Sequence, residues 1–212
     1  MIKKLVLSSA ELKQAELTTL SHYDSRALQF WEGTREHDVS QNICALLESL
    51  PQNRALDILD LGCGPGRDLI RFKALGHTPI GLDGSHVFCE MAKRNSGCEV
   101  LHQTFQTLEL AAQSFDGIFA NASLFHVPRQ VLPGVLKCCY DALKPGGVLF
   151  CSNPRGEGEG WNGNRFGNYM ELDVCKMFFE EAGFDVIDHY YRPEGLPNNQ
   201  QPWLAVLCRK NR

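Results

Sequence analysis

Residues 59–68 read LDLGCGPGRD. The apolar run before it, ALDILDLG (55–62), has the composition of a buried strand. The segment after it, RDLIRFKALG (67–76), has helical spacing and closes on Gly76. Glycine-rich loops between a strand and a helix often cradle phosphates. This loop lacks the Lys-Ser/Thr pair of a P-loop. Its glycines, Gly62, Gly64 and Gly66, follow G-x-G-x-G rather than G-x-G-x-x-G, and Asp60 stands where it would repel a phosphate. The pattern calls for a nucleoside-like ligand that approaches the backbone closely and needs no phosphate clamp.

The surrounding chain alternates. TPIGLD (78–83) predicts a strand, SHVFCEMAKRN (85–95) a helix with Ser85 as N-cap, and CEVLHQ (98–103) a third strand. SFDGIFANAS (114–123) predicts a fourth strand, followed by a helix over 128–143. LKPGGVLFCSN (143–153) is a turn and a fifth strand. A Gly/Asn-rich loop, GEGEGWNGNRFGN, follows. LDVCKMFFEEAGF predicts a helix closed by Gly183. DVIDHYYRP and WLAVLCRK predict two last strands joined without a helix, hence an antiparallel pair. The pattern predicts an α/β fold: a mostly parallel, Rossmann-like sheet of seven strands, helices on both faces and an antiparallel final strand. Residues 1–212 are read as one domain. Residues 1–52 form an N-terminal helical lid, with two helices over 17–50 stopped by Pro51. Residues 53–212 form the cofactor-binding core.

Ligands of such sheets sit at the carboxyl ends of the strands, near the point where strand order reverses. Gly62 and Gly64 permit close backbone approach, and the helix after Gly66 points its first amides to the same place. Asp83, ending the second strand, suits a carboxylate that accepts both ribose hydroxyls of an adenosine. S-adenosylmethionine carries an adenosine, a sulfonium, an amine and a carboxylate, but no phosphate. Asp60 would hold its ammonium, and Arg67 and Tyr23 its carboxylate.

LDLGCGPG, the acid of GLDGS, FDGIFANAS and LKPGGVL occur in the order found in class I S-adenosylmethionine-dependent methyltransferases, which residues 55 to 190 resemble. The resemblance implies cofactor contacts from Asp60, Gly62, Cys63, Gly64, Asp83, Gly84, Ser85, Phe105, Ala120 and Asn121. Thr104 stands near the place where the family often has an acid that meets the adenine amine. A Rossmann dehydrogenase would leave the LKPGG turn and the paired final strands unexplained.

Three further stretches are rich in chemistry: YDSRALQFWEGTREHDVSQNICALL (23–47), SNPRGEGEGWNGNRFGNY (152–169) and HYYRPEGLPNNQQPWLAVL (189–207). Together they resemble the methyltransferase of ovothiol synthesis, which occurs as the C-terminal domain of a sulfoxide synthase or as a separate protein. The resemblance implies N-methylation of the imidazole of 5-thiohistidine and association with such a synthase. For a zwitterionic acceptor of this kind, Arg155 and Arg192 are the candidates for its carboxylate and Asp38 for its ammonium. Asn42, Asn153 and Gln201 would orient the ring, and Trp31, Phe125 and Trp203 would stack on it and exclude water. His126 and His37 are the candidate proton acceptors. The alternatives are a related enzyme acting on another small acceptor through sulfur, selenium or oxygen, and a catalytically silent cofactor-binding partner.

Bulk composition fits one globular domain with a substantial core. The 212 residues include 43% hydrophobic and 22% charged side chains, and the net charge is −4. That balance offers no footprint for nucleic acid or an anionic membrane. Asn153-Pro154 resembles the Asn-Pro pair of nucleic-acid amino-methyltransferases, but it follows the fifth strand rather than the fourth. No apolar run approaches the roughly 20 residues of a membrane span. The stretch near the N-terminus is too short for a secretory core. Nine cysteines with no C-x-x-C pair point to reduced, buried thiols and a cytoplasmic setting. His86 and Cys89 lack a second pair of ligands, so no metal is expected. The sequence leaves the oligomeric state open.

Overall fold

The computed structural model describes residues 6–211; the N-terminal apolar stretch begins within residues 1–5, outside the described residues. Seven strands form the main sheet, β1 (Asp57–Leu61), β2 (Thr78–Asp83), β3 (Val100–His102), β4 (Phe115–Asn121), β5 (Leu143–Pro154), β8 (Phe184–Arg192) and β9 (Trp203–Lys210). β6 (Gly158–Asn162) and β7 (Arg165–Tyr169) form a separate hairpin. The helices are α1 (Ser9–Asp24), α2 (Ala27–Thr34), α3 (Ser40–Glu48), α4 (Arg67–Ala74), α5 (His86–Ser96), α6 (Leu132–Ala142) and α7 (Leu172–Glu181).

The sheet order is β3-β2-β1-β4-β5-β9-β8, with β9 antiparallel to both its neighbours. This is the Rossmann-like methyltransferase architecture expected from the sequence. Strand order reverses between β1 and β4, which pair in parallel through Asp60 and Phe119. The crevice at their carboxyl ends is therefore the place for a ligand.

Two expectations change. The region 17–50 holds three helices rather than two. A capping box starts α1, in which Ser8 accepts from the Glu11 amide and the Glu11 carboxylate accepts from the Ser8 amide. Only part of this segment roofs the molecule. α3 buries Ile43 and Leu46 against Ile58, Phe72, Phe119, Val148 and Phe150, so it covers one face of the sheet. The opposite face is covered by α6 and α7 through Val135, Leu136, Cys139, Cys175 and Phe179. Second, the Gly/Asn-rich loop is the β6–β7 hairpin. Its turn is Gly163-Asn164, with Gly163 at φ +61°, the type of dipeptide that tight hairpins select.

The end of the sheet away from the crevice is tied by charge. Asp116, on β4 and buried, accepts from Arg54 Nη1 at 3.0 Å, the Asp57 amide at 2.9 Å and Lys144 Nζ at 3.1 Å. Burial alone would raise this carboxyl; the two cations and the amide hold it down at about 2, below its ordinary 3.8. A depressed carboxyl stabilises the fold above its unfolded value, and that contribution is lost as pH falls from about 4 through about 2. Asp116→Ala should cost about 2 kcal/mol near pH 7, because Arg54 and Lys144 are exposed enough to rehydrate. The difference from the parent should shrink towards zero as the pH approaches about 2, in urea unfolding across that range.

Candidate active site

A cavity of about 660 Å³ opens at the carboxyl ends of β1, β2 and β4. Its floor is the glycine loop. The amides of Gly62 and Cys63 both donate to the Leu82 carbonyl, at 2.7 and 3.0 Å, and the Gly64 amide donates to Asp83 Oδ2 at 2.9 Å. The Ser85 amide donates to Asp83 Oδ1 at 2.8 Å. The Asp83 carboxylate is thus aimed by backbone at both ends, and its remaining lone pairs are free of these bonds. Burial pushes its pKa up to about 6, against the lowering effect of the amides of Ser85, Gly64 and Gly84, with the Asp24 charge adding to the rise.

The three loop glycines do different work. A Cβ at Gly62 would lie 2.3 Å from Ser123 Cβ, and one at Gly66 would lie 2.9 Å from Ala92 Cα. Those two glycines admit β4's following loop and α5. At Gly64, with φ +52°, the nearest atom to an added Cβ is Phe30 Cε1 at 3.7 Å. Gly64 alone of the three leaves open room towards the cavity.

Of the residues singled out in the sequence, Tyr23, His37, Asp38, Gly62, Cys63, Gly64, Arg67, Asp83, Gly84, Phe105, Asn121, Phe125, His126, Arg192 and Trp203 line the cavity. Cys63 is a buried thiol; burial and the Asp60 and Asp83 charges push it well above the ordinary thiol range, so it is unreactive. Arg67 is held bidentately by its neighbour Asp68, with Nε and Nη2 each 2.7 Å from a carboxylate oxygen. Arg192 donates to Asn42 Oδ1 at 3.0 Å and to the Asp38 carbonyl at 3.3 Å, both neutral acceptors.

Eight of the expected contacts lie off the cavity wall, each for a visible reason. Ser85 caps α5 by accepting from the Phe88 amide and donates to Asp24. Ala120 points into the core with α6 and α7, and the cavity is lined instead by Ala122. Trp31 packs on Ala27, Phe88 and Met91. Asn42 is buried, and it donates to Asn121 Oδ1 and accepts from Tyr190 and Arg192. Asn153 accepts from the Phe125 amide and donates to Cys151 Sγ. Arg155 pairs with Glu171, donates to the Gln201 carbonyl and lies over the Tyr191 ring. Gln201 donates to the Pro193 carbonyl. Asp60 is buried two residues before Gly62, and its Oδ2 has no hydrogen-bond partner among the described residues. Burial and the Asp68 charge push this carboxyl well above its ordinary range.

Sequence reasoning missed Phe30, Thr34, Phe88, Ser123 and Arg165, which also line the cavity. Arg165 sits on β7, in the stretch read as loop. Gly163-Asn164 was the signal for a hairpin there.

His126 is placed at the cavity on a one-turn helix, Leu124–His126, but neither ring nitrogen is free. Nδ1 is 2.7 Å from the Phe166 carbonyl and Nε2 is 2.7 Å from the Tyr23 hydroxyl. Burial drives its pKa down to about 4; the Phe166 carbonyl opposes this, and the Arg165 and His22 charges add to it. The ring is neutral at physiological pH, and it is a poor proton acceptor. His37 stands exposed at the mouth.

Residues 58–147 match the family model described as a methyltransferase domain. The chain is 34% identical over 104 residues to a ubiquinone biosynthesis O-methyltransferase of Dinoroseobacter shibae, covering 47% of this chain and 41% of that protein. It is 30% identical over 178 residues to a sterol 24-C-methyltransferase of Clavispora lusitaniae, covering 74% of this chain and 46% of that one. The chain thus spans less than half the length of these curated relatives. Among solved structures it resembles the Burkholderia thailandensis 1,6-didemethyltoxoflavin-N1-methyltransferase, crystallised with S-adenosylhomocysteine and its acceptor. The TM-score is 0.79 at 19% identity, over 99% of this chain and 94% of that one. Residues 58–147 thus match a methyltransferase domain, and the chain shares its fold with S-adenosylmethionine-dependent methyltransferases. The residues present fit that cofactor. The unpartnered Asp60 oxygen and raised carboxyl suit a cationic group nearby, Asp83 is aimed from both ends, and Gly64 leaves the room a Cβ would fill.

The glycine roles separate by mutation. Gly62→Ala should cost several kcal/mol of stability, since the overlap with Ser123 is with a short, buried side chain. Gly64→Ala should cost about 1 kcal/mol, the strain of a left-handed alanine, while weakening S-adenosylhomocysteine binding. Thermal melts and calorimetry on both variants check this.

Proposed function

We propose that this protein transfers the methyl group of S-adenosylmethionine to a small molecule, and that the acceptor atom is an imidazole nitrogen of 5-thiohistidine. The observation that carries the first part is one continuous cavity joining Gly64 and Asp83 to Arg192 and Trp203. Its volume lies in the range of small-molecule sites. The second part is supported by the resemblance of residues 23–47, 152–169 and 189–207 to the thiohistidine methyltransferases and by the chemistry of the cavity's roof.

In this reading Asp83 accepts the ribose hydroxyls, the Gly64 backbone lies under the nucleoside, Phe105 faces the adenine and Asn121 lies beside the methionyl part. Asp60 compensates the ammonium. When bound, the cofactor supplies a methyl carbon already activated by its sulfonium. Arg192, whose hydrogen-bond partners are neutral, takes the acceptor's carboxylate. Asp38, on the same rim, takes its ammonium, and Phe125 and Trp203 flank the ring and exclude water. A neutral imidazole nitrogen attacks with its own lone pair and needs no base beforehand. Alignment is the protein's main contribution, worth an effective molarity of order 10⁵ M or more. The proton left on the alkylated ring passes to His37, since both nitrogens of His126 are engaged.

Incubation with labelled S-adenosylmethionine and a panel of histidine derivatives tests this reading. Label on an imidazole nitrogen of 5-thiohistidine is the expected result. Label only on a sulfur, selenium or oxygen acceptor overturns the substrate assignment, and cofactor uptake without transfer overturns the enzymatic one. Arg192→Ala should raise the acceptor KM at least about tenfold while leaving that of the cofactor nearly unchanged. Because the Asp83 carboxyl sits at about 6, its charged form is lost on acidification. S-adenosylhomocysteine affinity should therefore weaken as pH falls through about 6, and Asp83→Asn should flatten that dependence in calorimetric titrations. The ligand-free fold should show the opposite trend from the same group, losing stability as pH rises from about 4 through 6.

A further inference from the structure

The partners of His126 determine which way the Tyr23 hydroxyl can act. The Phe166 carbonyl, 2.7 Å from Nδ1, has no proton to give, so Nδ1 carries the ring proton. In the neutral ring Nε2 is then a bare acceptor. Tyr23 Oη lies 2.7 Å from it and must donate its only proton there. The phenol itself stays protonated, because burial raises it further. What Tyr23 presents to the rest of its surroundings is therefore lone pairs alone. The Arg165 guanidinium, which lies against the same oxygen, is consistent with that polarity. Edge contacts with Phe30 at 5.6 Å and the His126 ring at 5.4 Å hold the phenol in place. All four side chains line the cavity.

We propose that His126 is a positioning residue that commits the Tyr23 oxygen to accepting hydrogen bonds, and that this oxygen receives an N–H of a ligand bound in the cavity. This replaces the expectation that Tyr23 bonds the cofactor's carboxylate. A carboxylate would face lone pairs at Tyr23 and finds its donor in Arg165 instead. The inference deepens the reading of the cavity as a methyltransferase site and rests on it for the ligand. The N–H belongs to the amine of the methyl donor or to the acceptor, and the test separates the two sources.

The tautomer is measurable without any ligand, so it stands or falls apart from the methyltransferase reading. In protein labelled with ¹⁵N-histidine, His126 should show a protonated Nδ1 and a bare Nε2 between about pH 5 and 8. An Nε2–H tautomer, or an imidazolium at the upper end of that range, overturns the proposal. The second arm is a double-mutant cycle. Tyr23→Phe should weaken either S-adenosylhomocysteine binding, if the cofactor's amine is the donor, or the acceptor KM, if the acceptor is, by about tenfold. His126→Phe should do the same, and the double variant should be no worse than Tyr23→Phe alone. His126→Gln, whose carbonyl can accept from the phenol, should restore most of the loss. Losses that multiply, or a Tyr23→Phe protein that binds both molecules as the parent does, overturn the proposal. If His126→Phe fails to fold, Tyr23→Phe, His126→Gln and the ring spectrum decide the matter.

Discussion

The Gly64 amide donates to the Asp83 carboxylate across the gap between two parallel strands, and most of the site follows from that bond. It requires β1 and β2 to be neighbours in a fixed register, with Leu61 opposite Leu82. The same register lets the Leu82 carbonyl take the amides of Gly62 and Cys63. On the other side β1 is closed by β4, whose following loop presses Ser123 onto Gly62 and donates from Ser123 Oγ to the Leu61 carbonyl at 2.6 Å. The turn is thus pinned from both flanks. A one-residue slip of β2 against β1 would point the Asp83 carboxylate to the wrong face of the sheet.

Carboxylates at the two ends of the sheet meet opposite environments. At the far end Asp116 is held at about 2 by Arg54, Lys144 and a backbone amide, and it stabilises the fold. At the crevice Asp83 is raised to about 6, and Asp60 is raised well above its ordinary range with one oxygen unpartnered. Those two groups cost stability in the ligand-free chain. Raised carboxyls in a cleft mark a place where a cationic or hydroxylated ligand repairs the deficit. The far-end network offsets part of that cost without entering the crevice.

The sheet was legible because buried parallel strands read as apolar runs between turn residues, and the glycine loop and Asp83 follow directly from that pattern. Polar residues were harder. Asn42, Asn153 and Arg155 have the chemistry of ligand contacts, yet their partners are Asn121, the Phe125 amide and Glu171. A polar side chain that satisfies the protein cannot be told by type from one that awaits a ligand. Phe30 and Phe88 erred the other way. Nothing in the type of an apolar helix residue marks it as a cavity wall, and their place there follows from α2 and α5 packing together beside the glycine loop. Arg165 was lost because a stretch rich in glycine and asparagine was read as a loop, although its Gly163-Asn164 pair is a hairpin turn.

The two halves of the cavity have different origins in the chain. Gly62, Gly64, Asp83, Phe105 and Asn121 all fall within residues 58–147, the segment that matches the methyltransferase domain. Tyr23, Phe30, Arg165, Arg192 and Trp203 all fall outside it, on α1, α2, β7, β8 and β9. The first set is fixed by strand register, which tolerates little change. The second is supplied by separate roof segments, which can vary without disturbing β1, β2 or β4. The match of residues 58–147 to the methyltransferase domain therefore leaves the roof segments outside it. Acceptor choice has to be argued from the roof. There the chain offers an arginine whose hydrogen bonds among the described residues go to neutral groups, a tryptophan opposite it in the strand pair, and a phenol oxygen whose proton is already spent. In the proposed reading that arginine meets an acceptor's carboxylate, and the phenol oxygen meets an N–H of the acceptor or of the methyl donor.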